Sequence, residues 1–285
     1  MYETIVVGFD GSSYSLAALR ESAGWIKRHG GHAVLVHGVF FDEEEFGIAP
    51  VQHEKRLENG NKLCRLAKAD AAAEFGIDAE MLVCEGEPPN VLVNVARDKG
   101  ASLIALGTQG RRGLKRFILG SVTASVVADA TCDVLAVKRP CGTCPDNYNS
   151  ILVPFDGSEH SVKALRRACE LAKVDKGEVT VLYSIPRYEE MMEFVKTQSV
   201  KDGLRAEAEK VVAAAVAVAA SSGVEVKTAI MDGPPSDNIV KAAESGKSDV
   251  IVMGSHGWRG MNKAIMGSTT ERVTMLAACP VLIVR

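Results

Sequence analysis

The segment IVVGFDGS, Ile5 to Ser12, returns as ILVPFDGS, Ile151 to Ser158, with its aspartate displaced by 156 − 10 = 146 residues. Later landmarks return after 147: Gly76 with Gly223, Pro88 with Pro235, Gly107 with Gly254, Gly120 with Gly267, and Cys132 with Cys279. Solenoid units repeat every ~20–50 residues, so copies this long must each fold around a core of their own. The length of 285 residues agrees, because single cores stop growing near ~250–300 residues. The duplication therefore predicts domains at 1–140 and 149–285, joined by a linker at 141–148. The linker lies in RPCGTCPDNYN, Arg139 to Asn149, a stretch without apolar period and rich in turn-forming residues.

Within each copy, apolar β-branched runs alternate with longer helical stretches, which is the pattern of a parallel sheet with crossover helices. Strands are expected near Thr4–Val7, Ala33–His37, Ala79–Cys84, Leu103–Leu106 and Val134–Val137 of the first copy. Several are apolar at consecutive positions, as strands are when helices cover both faces of a sheet. The predicted fold class is α/β: two tandem, doubly wound, Rossmann-like parallel-sheet domains. Gly76 and Gly223 follow Ala-rich helices and are placed to stop them with positive φ. Val211 to Ala220 is ten residues of Val and Ala, too short for the ~20 that span a bilayer, and is expected as a buried helix.

The remaining totals exclude more than they assign. A formal net charge of −3 lacks the basic footprint of a nucleic-acid binder. No secretory leader opens the chain, which points to the cytoplasm and away from membranes. Seven cysteines without a leader fit reduced thiols, and Cys132 and Cys279 fit small buried thiols before the last strand of each copy. Cys141 and Cys144 form CGTC, spaced for a metal clip or a redox pair, yet no second CxxC completes a zinc site. The simpler reading is two loop thiols, and the acidic run Asp42 to Glu45 likewise reads as a solvated loop.

The chemistry concentrates after the fourth strand. GTQGRRGLKRFILGSV, Gly107 to Val122, is matched spacing for spacing by GSHGWRGMNKAIMGST, Gly254 to Thr269. A glycine-rich loop leaving a parallel strand lies where open sheets bind ligands. Its following helix start presents unpaired amides and the positive dipole end to an anion. Ser121 and Ser268 can cap that helix or offer a hydroxyl to phosphate. Arg111, Arg112, Lys115 and Arg116 make the first loop more cationic than the second, which has Arg259 and Lys263. Asp10 and Asp156, in DGS before an apolar run, read either as helix caps or as ligand contacts. Neither the P-loop nor the dinucleotide glycine spacing is present.

A Gly, two residues, a Gly, nine residues, then Gly with Ser resembles the ATP-binding pattern of the universal stress protein family, and both copies fit it. The resemblance covers nearly the whole chain and implies an adenine nucleotide α-hydrolase-like fold with one nucleotide site per copy. It implies that Gly107, Gly110, Arg111, Gly120, Ser121 and Val122 surround the phosphates of ATP, with Asp10, Gly38 and Val39 near the adenosine. The second set is Asp156, Ser184, Ile185, Gly254, Gly257, Gly267, Ser268 and Thr269. Mg2+ would bridge the phosphates. Gly8 departs from Pro154 and from the proline of many relatives, and is expected to loosen its loop without abolishing binding. The resemblance also implies a pseudo-dimer made through Val134–Val137 and Val281–Val284, or a homodimer. His37 and His256 read as polar contacts, since neither has a recognisable nucleophile or carboxylate partner. The function implied is a nucleotide-dependent sensor or regulator in a stress response. A slow ATPase or phosphoryl-transfer enzyme using the same sites is the alternative, and a scaffold that has lost its ligand is the third.

Overall fold

The computed structural model describes residues 1–41, 46–47, 49–110, 119–138, 147–185, 198–257 and 266–285. The chain divides into two compact units, Met1–Asp146 and Asn147–Arg285.

In the first unit the order is β1 (Thr4–Gly8), α1 (Ser13–His29), β2 (His32–Val39), α2 (Pro50–Phe75), β3 (Glu80–Glu85), α3 (Pro88–Asp98), β4 (Leu103–Gly107), α4 (Ser121–Asp129) and β5 (Asp133–Val137). The second unit repeats it: β6 (Ser150–Pro154), α5 (Glu159–Asp175), β7 (Glu178–Ile185), α6 (Gln198–Ser221), β8 (Val226–Asp232), α7 (Pro235–Ser245), β9 (Val250–Gly254), α8 (Ser268–Leu276) and β10 (Val281–Val284). The strands of the first unit lie in the order β3-β2-β1-β4-β5 and those of the second in the order β8-β7-β6-β9-β10. Every pairing within each of these orders is parallel. This is the doubly wound arrangement that the sequence predicts.

The core explains the consecutive apolar runs. Ile5, Val6 and Val7 are all fully buried, as are Ile151 and Val153, because helices lie on both faces of each sheet. In the first unit α1 packs with α2 on one face and α3 with α4 on the other. Pro88 and Pro235 are the first helical residues of α3 and α7, where a missing N–H costs nothing. Gly76 ends α2 in the left-handed region at φ 71°, its N–H bonded to the Ala72 carbonyl.

Two expectations need correction. The Val- and Ala-rich segment is not a buried helix: in α6 only Ala208, Val212, Ala215 and Ala219 are buried, and Val216 is 42% exposed. Alanine satisfies helix propensity at little cost in exposed apolar area, so the run marks a strong helix and not its depth. Cys132 and Cys279 are half-buried, whereas Cys64 and Cys169 are the buried thiols. Burial pushes Cys64 up to about 11, which makes its thiolate scarce at neutral pH. Cys141 and Cys144 lie outside the described residues. No helix among the described residues is long and apolar enough to cross a membrane.

Candidate functional site

The strand order creates the site. From β1 the chain winds outward to β2 and β3, and from β4 it winds the other way, so the loops leaving β1 and β4 part from each other at the carboxyl edge. The loop after β1 carries Asp10 and the loop after β4 carries the glycine pattern.

The β1 turn is built by three residues. Gly11 takes φ 77° and Gly157 takes 84°, a region that side chains resist. The Asp10 Oδ1 atom accepts the Ser12 N–H at 2.9 Å, and Asp156 Oδ1 accepts the Ser158 N–H at 3.0 Å. The caps of α1 and α5 are Ser12 and Ser158, whose hydroxyls accept the Ser15 and Ser161 amides at 3.1 and 3.2 Å. The capping reading of the aspartates is therefore replaced: each braces the turn before the cap. The second carboxylate oxygen of each is turned to the other loop. A Cβ at Gly110 would lie 2.8 Å from Asp10 Oδ2, and one at Gly257 would lie 2.5 Å from Asp156 Oδ2.

The β4 loop is closed at its neck. The Gly120 N–H donates to the Thr108 carbonyl at 2.8 Å and the Gly267 N–H to the Ser255 carbonyl at 3.0 Å. Gly120 and Gly267 are then the caps of α4 and α8, and no side chain caps either helix. Ser121 and Ser268 thus do not cap; they are the first helical residues. The open amides at these two helix starts, with the dipole behind them, make each a place for an anion. Thr123 and Thr270 tie the helix starts down, their hydroxyls donating to the Gly107 and Gly254 carbonyls at 2.8 and 3.0 Å. Sequence reasoning missed these threonines and also Ser15 and Ser161. The signal was there, since each pair sits at matched positions of the two copies.

Some glycines of the pattern also serve packing. A Cβ at Gly107 would lie 2.5 Å from Tyr14 Cβ and 2.7 Å from the Tyr14 carbonyl carbon, and Gly254 meets His160 the same way at 2.7 and 2.9 Å. These two glycines admit the first turn of α1 and α5 onto the sheet. Gly38 admits Pro88, whose Cα would be 2.8 Å from a Cβ there. Gly8 lacks positive φ, and the Leu92 side chain fills the space a side chain would take, its Cδ1 3.1 Å from the Cβ position. That packing leaves the expected loosening without a backbone cause.

In the first unit Asp10, Gly38, Val39, Gly107, Gly110, Gly120, Ser121 and Val122 all line one cavity of about 1490 Å³. Small-molecule sites commonly occupy ~300–1,000 Å³, so a mononucleotide fits. Arg111, Arg112, Lys115 and Arg116 lie outside the described residues, as do Arg259, Lys263 and the acidic run Asp42 to Glu45. In the second unit Ser184 and Ile185 end β7, and Thr269 is the second residue of α8. There the loop holds a different pair: His256 is buried, its Nδ1 3.0 Å from Ser255 Oγ, with its ring 5.5 Å from that of His160. Burial holds the His160 imidazole below its ordinary value, with His256, Lys163 and Arg285 acting in the same direction and Glu159 against it.

Comparison with known proteins agrees with this architecture. The profile of the universal stress protein family matches twice, over residues 1–138 and 147–285. A universal stress protein of Methanocaldococcus jannaschii is 33% identical over 144 residues, 48% of this chain and 82% of that protein. One of Mycobacterium bovis is 26% identical over 299 aligned residues, covering 99% of this chain and 96% of its own. The crystal structure of a universal stress protein from Archaeoglobus fulgidus superposes with TM-score 0.73 at 21% identity, covering 100% of this chain and 99% of that one, a likeness of fold.

Proposed function

The chain belongs to the universal stress protein family, and from that premise we propose that each unit binds an adenine nucleotide, ATP foremost, and that occupancy makes the protein a nucleotide-dependent regulator in a stress response. One observation carries the reading: at the crevice between β1 and β4 a helix begins on a bare glycine cap, its amides unclaimed by any side-chain cap, opposite an aspartate braced by the β1 turn. Phosphate oxygens suit the amides and the dipole. A carboxylate cannot pair with phosphate, and it suits sugar hydroxyls that donate to it. Gly110 keeps the space between the two open. Mg2+ enters this scheme with the phosphates that it bridges. The output is binding, with hydrolysis slow at most, and the protein acts in the cytoplasm.

The test is to denature the purified protein and analyse the released small molecules, then to titrate the emptied protein with ATP by calorimetry. ATP in near-stoichiometric amount supports the reading. ADP alone moves it towards hydrolysis. No bound nucleotide and no heat of binding under any condition leaves a scaffold and ends the proposal.

A further inference from the structure

The first unit contains a histidine whose hydrogen bonding fixes one nitrogen and leaves the other for a ligand. His37 lies on β2, and its Nδ1 is 2.7 Å from the Phe9 carbonyl oxygen. A carbonyl only accepts, so Nδ1 carries the hydrogen and the neutral ring presents a lone pair at Nε2. Among the described residues nothing is hydrogen-bonded to that Nε2. The ring has its place because α2 crosses it at a glycine: a Cβ at Gly60 would be 2.7 Å from His37 Cδ2 and 3.3 Å from Nε2. His37 and Gly60 both line the cavity of the candidate site.

The position along the cavity matters. The anion end is the start of α4, after β4; β2 lies two strands away in the order β2-β1-β4, which is about 10 Å at ~4.8 Å per strand. That is the span from the phosphates of a nucleotide to its base. At the β2 end Val39, Phe40, Leu63 and Leu66 give the cavity apolar surface that suits the faces of a purine, beside the polar Arg56, Asn59 and Lys62 of α2. A ring nitrogen held as an acceptor at this end favours a base that offers it a donor.

We propose that His37 Nε2 accepts a hydrogen bond from the exocyclic amine of the base, so that the first unit selects 6-amino over 6-oxo purines. The inference rests on the reading of this cavity as a nucleotide site. A 6-oxo purine would set its carbonyl oxygen against the Nε2 lone pair and leave both acceptors unsatisfied. At the matched position the second unit has no such reader. Tyr183 occupies the place of His37, one residue before Ser184 as His37 is before Gly38, and a phenol hydroxyl both donates and accepts. The buried positions of the long helices correspond as Gly60 with Ala208, Cys64 with Val212, Ala67 with Ala215 and Ala71 with Ala219, so the glycine that makes room for the imidazole is also absent there.

The experiment uses the full chain with Gly267→Val to silence the second site, titrated with ATP and with inosine triphosphate by calorimetry. The expected preference for ATP is roughly 10-fold to 100-fold, the range for leaving such a group unpaired. His37→Asn keeps a donor towards Phe9 and removes the Nε2 acceptor; the ratio should fall to within about 3-fold of unity, while Tyr183→Ala leaves it unchanged. A second readout needs no variant at position 37: with 15N-labelled histidine, ATP should move the His37 Nε2 resonance in the direction of an accepted hydrogen bond and inosine triphosphate should not. If neither nucleotide binds, the reading of the site itself fails. If ATP binds but the His37→Asn ratio or the Nε2 resonance does not respond, the site stands and the role given to His37 is overturned.

Discussion

Gly107→Ala separates packing from ligand binding within the glycine pattern. The added Cβ would lie 2.5 Å from Tyr14 Cβ, 2.7 Å from the Tyr14 carbonyl carbon and 2.9 Å from the Ser15 amide nitrogen. Carbon contacts relax near ~3.5 Å, so α1 must move out by about 1 Å at its first turn. Overpacking of this kind costs about 1–3 kcal/mol, offset by roughly 0.5–1 kcal/mol for removing a glycine from a strand. A net loss of about 1–2 kcal/mol lowers the melting of the first unit by roughly 2–8 °C, at about 2–4 °C per kcal/mol for a domain of this size. Differential scanning calorimetry of the full chain, resolved into two transitions because two domains need not unfold as one, should show one transition displaced. Gly254→Ala should displace the other. Adding Tyr14→Ala should not rescue Gly107→Ala, because the Cβ and carbonyl carbon that cause the clash remain. By contrast the Cβ of Gly110→Ala meets a carboxylate oxygen that can rotate away, so that variant should melt close to wild type and lose nucleotide. If Gly107→Ala melts as wild type and binding alone is lost, Gly107 is a ligand cradle and the packing account is wrong.

Other expectations follow from the same geometry. Ser12→Ala or Ser158→Ala removes the hydroxyl that caps α1 or α5 and should destabilise its own unit by about 1 kcal/mol in chemical denaturation; no change would mean that the aspartate turn alone fixes the helix start. Ser121→Glu places a negative charge in the first turn of α4, so the helix dipole should raise stability by about 0.3–1 kcal/mol while ATP affinity falls at least about tenfold, and a parallel loss of both would refute the anion site. Burial and neighbouring His256 lower the His160 imidazole, so the unfolded chain binds the proton more readily than the folded one. Stability from this group is complete above the ordinary histidine range near ~6.5 and declines as pH falls from there towards the lower folded value. His160→Tyr, which copies Tyr14, should flatten that decline in urea titrations of the second unit.

Much of this was legible because the chain is duplicated. The strands could be located because β1 and β4 are apolar on consecutive positions, and the winding followed from alternation with helices. What single residues do was less legible, because one residue type serves several physical ends. Asp10 before a helix looks like a cap, but the cap goes to Ser12 two residues later, since Gly11 turns the chain with φ 77° first. Gly107 and Gly110 look alike in GTQG, yet one faces α1 and the other faces Asp10; the difference lies in what each meets once the chain is folded, which spacing cannot encode. His37 was visible as a polar residue near the site, but its tautomer depends on the Phe9 carbonyl, a partner 28 residues away.

The two units share one backbone plan, so a difference between them at matched positions cannot be demanded by the fold. Asp10 and Asp156, Gly11 and Gly157, Ser12 and Ser158, and Thr123 and Thr270 are the same residue in both and are tied to the turn, the caps or the helix start. Tyr14 with His160, His37 with Tyr183, Gly38 with Ser184 and Gln109 with His256 differ, and of the first unit's members His37, Gly38 and Gln109 line its cavity. On the proposed reading, the parts assigned to the phosphate end are thus held alike, while residues at the other end of the cavity are not. Two identical sites would double capacity for one ligand; sites that keep the phosphate end and vary the base end let one chain respond to two ligands, or to one ligand over two ranges of concentration. Titrating each unit with the other silenced decides this: equal affinities and equal base preference would mean that the differing residues carry no selectivity.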